Sequence, residues 1–317
     1  MSAAPTMGAA HCVHAIDIVH ASAIAGLAAQ RGFTLVEAVV VMVIIGILGA
    51  SVAVFIRAPV QGYADAVVRA ELSASADLAV RRLARDVRLA LPNSIRINAA
   101  EDSIEFLLTR TGGRYLAAED GVDDHPVLDF TDATRTSFTV VGAMPAAGQR
   151  GVGTDYLVVN NLGADFPPAD AWGFNGNNRN IARIDAIDDA ARTITLHDNP
   201  FALQVPPVPS ASHRFHIVSG PVSYHCGLDA AGTRQLTRQA GYPISASQLS
   251  DPVPAGAASG AGQRAVLAGR VASCKFALSG AATRRSALLR ISLELQARDN
   301  VATSVRLEHQ VHVENTP

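Results

Sequence analysis

In the stretch "RGFTLVEAVVVMVIIGILGA", residues 31 to 50, Glu37 stands near the head of an apolar run with no further ionisable side chain before Arg57. An acid in such a place is costly to bury and needs a positive partner. Other groups have the types that do chemistry. "HCVH" (His11 to His14) has two imidazoles around a thiol but lacks a fourth ligand. His309 and His312 are three apart in an alternating segment, so they point to opposite sides of a strand, His309 to the apolar one. His225 stands beside Cys226 and reads as a packing residue. Two acidic groups, Glu119, Asp120, Asp123 and Asp124 in one loop and Asp185, Asp188 and Asp189 in a turn, offer oxygen ligands for Ca²⁺ but lack EF-hand spacing and read as solvated loops. "GVGTD" (151 to 155) carries a lone G-x-G and reads as a turn. Neither G-x-S-x-G, nor a Walker loop, nor a metalloprotease helix motif occurs, so the sequence calls for no enzyme activity, metal or cofactor.

The element that must position Glu37 is long. From Phe33 to Ile56 there are about 24 residues, ~36 Å of helix, enough to span a bilayer. An ordinary secretory signal cut at "GASVA" (49 to 53) fits poorly, because the run exceeds an h-region and its helical pattern continues past the cut. A plain single-span anchor explains the length but leaves the spacing from Gly32 to Glu37 to coincidence.

That spacing, Gly32-Phe33-Thr34-Leu35-Val36-Glu37, resembles the processing site of type IV prepilins and pseudopilins. The resemblance implies that a prepilin peptidase removes residues 1–32 on the cytoplasmic side and methylates the amine of Phe33. Glu37 becomes the fifth residue of the mature chain, placed to neutralise an amine as neighbouring helices pack. At an effective dielectric of about 20, unit charges ~4 Å apart attract by roughly 4 kcal/mol, enough to select one stagger between subunits. The leader is longer than is usual for that family, which puts the start codon in question.

The 317 residues carry a net charge of -2 with 49% apolar residues, and Lys275 is the only lysine; no basic tail or stripe marks a nucleic-acid partner. Once the leader is removed, with Cys12, the mature chain keeps Cys226 and Cys274 outside the cytoplasm. An even pair there predicts a disulfide, against the alternative of two separately buried thiols. The expected organisation is a leader (1–32), a transmembrane assembly helix (33–58), its amphipathic continuation (59–92) and a β-rich periplasmic domain (93–317), an α+β fold. Pro59 is expected to kink or locally break the helix, and Pro92 with Asn93 to end it after Leu91. In the second part, Val60, Tyr63, Val67, Ala70, Ala74 and Leu78 form the expected apolar stripe, continued by Leu83, Val87 and Leu91. Beyond it the period changes to two in "SIRI", "SIEFLL", "SFTVVG", "DYLVVN", "RTITLHD" and "RFHIV". The clearest pair is terminal, "LRISLELQ" and "SVRLEHQVHV", a hairpin turning at Asp299 and Asn300. "GFNGNNRN", "VPPVPS" and "PVPAGAASGAG" read as surface loops, leaving one β-rich domain or two subdomains.

A second resemblance covers more of the chain. "ARDVRLALPNSIRI", "PVSYHC", "LTRQAGY", "VASCKF" and "EHQVHVENTP" are similar to a minor-pilin family of mannose-sensitive haemagglutinin (MSHA) pili. It implies a scarce subunit that acts at the start or cap of a filament. The partners implied are other minor pilins, the major pilin and the inner-membrane assembly platform. A minor pseudopilin of a type II secretion system shares this build, and a tip adhesin binding through the Asn-rich and Pro-rich loops is the reading from another class.

Overall fold

In the computed structural model the described residues are 32–317, apart from 121–123, 175, 177–178, 250, 255, 281–285 and 299–302. The long N-terminal helix and the antiparallel β-rich domain after it make an α+β architecture. Helix α1 covers Leu35–Arg88. Two compact units meet within it, Met1–Pro59 and Val60–Pro317. Pro59 is assigned inside α1, and the boundary between the units falls there.

In the first unit, α1 shows its side chains to the outside. Leu35, Met42, Ile45, Leu48 and Phe55 are all exposed. This helix is long and apolar enough to cross a membrane, and none of its most apolar window is buried.

In the second unit, α1 buries Leu72, Ala76, Ala79, Val80, Leu83, Ala84 and Val87. These recur at three- and four-residue steps, which places them on one face. The stripe read from sequence is corrected over its first part, since Val60, Tyr63, Val67 and Leu78 are exposed. The helix also stops earlier than Leu91. The amides of Leu89 and Ala90 donate to Asp86 and Val87 three residues back, and that of Leu91 donates to Leu107 at 2.8 Å. Residues 89–91 thus turn out of the helix before Pro92, because pairing with a strand satisfies backbone groups that another helical turn would have used.

The strands are β1 (Arg96–Ile97), β2 (Ser103–Tyr115), β3 (Ser137–Val141), β4 (Tyr156–Val158), β5 (Ile181–Asp188), β6 (Thr193–Leu196), β7 (Arg214–Leu228), β8 (Arg234–Ala240), β9 (Gln263–Ala268), β10 (Val271–Ser279), β11 (Ser286–Gln296) and β12 (Ser304–Glu314). Nine form a sheet in the order β1-β2-β3-β6-β5-β4-β7-β8-β9, and β2 also pairs with β7. That extra pairing closes β2, β3, β6, β5, β4 and β7 into a ring. Its filling includes Tyr115, Phe138, Ile194, Phe201, Phe215 and Ile217. Closure imposes a local demand at Gly113, where an added Cβ would lie 2.6 Å from the Phe215 ring. Register shifts in the β2–β7 pairing between Leu107 and Thr111 lie just before the turn into the ring.

Strands β10, β11 and β12 make a second sheet. It shares a core with α1 and with Phe106, Tyr224 and Leu236 of the larger sheet. The terminal hairpin is present as expected, with Leu289, Ile291, Leu293 and Leu295 buried. Its turn at Asp299 and Asn300 lies outside the described residues. Cys226 on β7 and Cys274 on β10 are joined by a disulfide with Cα atoms 6.3 Å apart. The bond links the two sheets and closes a loop of 48 residues, which constrains the unfolded chain.

Two polar clusters fix the packing from inside. Asp86, on the buried face of α1, accepts the Tyr224 hydroxyl at 2.9 Å and Arg238 Nε at 2.6 Å, with Arg82 at 3.6 Å from its other oxygen. Glu105 on β2 accepts Arg96 Nε at 2.6 Å and the Tyr242 hydroxyl at 2.8 Å, while the Arg96 guanidinium lies 3.7 Å over the Trp172 ring. Burial pushes Glu105 above its usual range despite Arg96. Asp86→Ala would leave Arg238 in a largely buried site without its carboxylate, a loss of about 3–5 kcal/mol. Urea unfolding of the detergent-solubilised full chain is expected to show a shift of that size, and a clearly smaller one for Asp86→Asn, which keeps an acceptor for Tyr224.

Candidate functional site

Thr34 immediately precedes α1, and its hydroxyl accepts the amide of Glu37 at 3.2 Å, while its carbonyl accepts the amide of Ala38 at 3.1 Å. Thr34 is therefore the N-cap and Glu37 the third helical residue, the T-x-x-E spacing of a capping box. This local reason for an acid and a hydroxyl was available in the sequence as that spacing. A carboxylate in the first turn also faces the positive end of the helix dipole. The carboxylate of Glu37 has no hydrogen-bond or ion-pair partner among the described residues, and it is exposed. Phe33 is 76% exposed, directly ahead of the cap.

Gly32 is exposed with open space where a Cβ would be, so the fold around it imposes no need for glycine. Gly46 and Gly49 are equally open. Among the described residues of the first unit nothing covers these positions, and the head of α1 combines a bare apolar surface with one acid that has no partner there.

The other candidates are accounted for by local structure. "HCVH" and Asp123 lie outside the described residues. Glu119 and Asp120 bracket His213, at 3.0 Å from Nε2 and 3.3 Å from Nδ1. Asp185 and Asp188 belong to strand β5 rather than to a turn, because β5 goes on pairing with β6 as far as Asp188 and Thr193. Asp185 pairs with His197 at 2.9 Å, and Asp188 accepts the amides of Ala190 and Ala191. Asp189 is held below the usual carboxylate range by its hydrogen bond to Arg150. Among the described residues no group of three or more His, Cys, Asp or Glu side chains is arranged to hold a metal ion. "GVGTD" is a turn, with the Gly151 amide donating to Asp155 at 2.7 Å and Arg110 beside that carboxylate at 3.4 Å.

Four histidines are informative by placement. His312 is exposed, whereas His309 is half-buried on the inner side of β12. His216 and His225 each have one ring nitrogen, Nε2 and Nδ1 respectively, buried without a hydrogen-bond partner among the described residues. Burial lowers both below the ordinary value of 6.5, reinforced by Arg214 at His216, while Asp251 and Asp102 oppose the shift at His225. They are packed as neutral rings. Between the lowered native values and 6.5 the unfolded chain holds more protons, so these two groups weaken the fold as the pH drops through that window. Thermal unfolding between pH 7.5 and 5.5 is expected to show a downward drift in midpoint, flatter in the variant carrying His216→Gln and His225→Gln.

Comparison with known proteins bears on the head of α1. Residues 27–53 match the prokaryotic N-terminal methylation motif. No curated protein and no solved structure matches the chain. With the motif at the head of its apolar helix, the chain has single-pass membrane topology and an extracytoplasmic β-rich domain.

Proposed function

Because the chain carries the prokaryotic N-terminal methylation motif, we propose that it is a minor pilin, similar to the MshO subunit of MSHA pili, whose work is filament assembly rather than catalysis. The observation that carries this reading is the junction Gly32-Phe33-Thr34-Leu35-Val36-Glu37 at the head of a helix whose most apolar stretch is not buried. Peptidase cleavage after Gly32 and methylation of Phe33 leave a cationic amine next to the helix cap. Gly32 has no conformational role in the fold, which fits a residue retained for recognition by the peptidase. Glu37, whose carboxylate has no partner among the described residues, is placed to neutralise the amine of a neighbouring subunit in a poorly solvated helix bundle.

In this scheme the helix spans the inner membrane and the β-rich domain lies in the periplasm. Its partners are the prepilin peptidase, other minor pilins, the major pilin and the assembly platform. The resemblance of "PVSYHC", "LTRQAGY" and "VASCKF" to MSHA minor pilins favours the pilus over a type II secretion system.

Amino-terminal sequencing of chain purified from membranes is expected to give N-methyl-phenylalanine at Phe33. Glu37→Ala is expected to be processed normally yet to leave cells with few filaments, since roughly 4 kcal/mol of register selection is lost. Normal piliation in that variant would refute the role of Glu37, and uncut protein in a piliated cell would refute the whole scheme. Deletion of the gene is expected to abolish filaments; filaments that persist but fail to attach would identify an adhesin instead.

A further inference from the structure

Sheets present edges, and unpaired edges are normally kept short, interrupted or covered. Three of the four edges of this domain follow that practice. Strand β1 has two residues, β9 pairs with β8 across a register shift, and β10 has a shift near Val271 and is covered near Phe276, whose amide donates to Glu101. The fourth does not. Strand β12 runs for 11 residues, pairs with β11 from Ser286↔Glu314 to Gln296↔Ser304 without a shift, contains no proline, and among the described residues pairs with no other strand.

A groove of about 710 Å³ lies along this edge, between β12 and the last turns of α1. Leu307, Glu308 and His309 all line it. Neighbouring residues of a strand point to opposite faces, so a groove that touches three in succession follows the strand's edge, where its outward amides and carbonyls lie. The floor on the helix side is Val80 and Ala84, and Arg81, Arg85 and Arg88 stand over it. Arg81 is occupied by Asp77 at 2.8 Å, and Glu308 by Arg306 at 3.1 Å. Arg85 and Arg88 have no hydrogen-bond or ion-pair partner among the described residues.

We propose that β12 is a docking edge for an extended, acidic segment of a partner subunit, which adds itself to the three-stranded sheet. Backbone hydrogen bonds to residues 304–310 supply the pairing, and the alternate side chains of the guest that face α1, its carboxylates, meet Arg85 and Arg88. The chemistry of the site selects the guest: a strand-forming segment with acidic residues at every second position satisfies both the open edge and the two free guanidiniums. Only the view that the guest belongs to another subunit of the same assembly rests on the proposed function. The surface itself is independent of cleavage at Gly32 and of Glu37.

The test uses the full chain in detergent micelles and two fluorescent eight-residue peptides, one alternating valine with glutamate and one alternating valine with lysine. The acidic peptide is expected to bind at least tenfold more tightly than the basic one, and Arg85→Glu with Arg88→Glu together to reverse that preference. Both arginines are exposed, so the variant folds, which its unchanged thermal midpoint would verify. Hydrogen exchange is expected to slow at alternate amides within residues 304–310 when the acidic peptide is bound. Equal binding of the two peptides, an affinity untouched by the charge reversal, or unchanged exchange along β12 would overturn the proposal. Self-association through β12 that excludes the peptide would overturn it in favour of a second copy of this chain. None of these outcomes depends on whether the leader is cut, so a failure here is separable from a failure of the pilin reading.

Discussion

The rotation of α1 about its own axis governs much of what the second unit can present. Leu72, Ala76, Ala79, Leu83 and Val87 face the core shared with both sheets. Hydrophobic contact alone tolerates some rolling, because alanines offer little relief for side chains to grip. Asp86 removes that freedom. Its carboxylate meets Tyr224 on β7 and Arg238 on β8, two strands side by side in the larger sheet. A buried ion pair contributes little net stability, and its better-attested use is to single out one arrangement among several of similar packing energy. Here that arrangement leaves Arg85 and Arg88 exposed beside the groove that β12 lines.

The ring formed by β2 to β7 answers a different problem. Strands β3, β4 and β6 are short, at five, three and four residues, and an open sheet of such pieces would offer several ragged edges. Closing them between the two long strands β2 and β7 leaves no free edge in that part of the domain. The strands that build it also run on into the part that receives α1, so the two cores are coupled through continuous backbone. Tyr115 marks the far end of this path. It is fully buried, its hydroxyl is bonded to Ser210, and burial raises it to about 12.

Features with a short sequence range were legible in advance. The apolar span and its acid, and the alternation of the terminal hairpin, are written in adjacent residues. The facing of the second half of α1 was not. Ala70 and Ala74 on the exposed side and Ala76 and Ala79 on the buried side give the same hydrophobic signal, and only the approach of the sheets separates them. Strand β5 has no clean period of two in sequence, since Arg183, Asp185 and Asp188 interrupt its apolar residues and its pairing with β6 shifts register near Ile184. The closure of the ring depends on residues 111–114 of β2 meeting residues 214–217 of β7, a pairing about a hundred positions apart that no local pattern encodes. At the head of α1 the T-x-x-E spacing of Thr34 and Glu37 spells a capping box, a local role that the conspicuous charge of Glu37 in an apolar run masks.

The cystine between β7 and β10 has a mechanical consequence. Tension applied along α1 would reach the domain through a helix lodged against both sheets, a geometry in which pulling tends to peel one layer from the other. The S–S bond ties those layers by a covalent link close to the helix that would carry the load. Shear at that seam must therefore stretch the polypeptide or break sulfur from sulfur before the layers can part, which makes the domain a sturdier handle than its noncovalent contacts alone would provide.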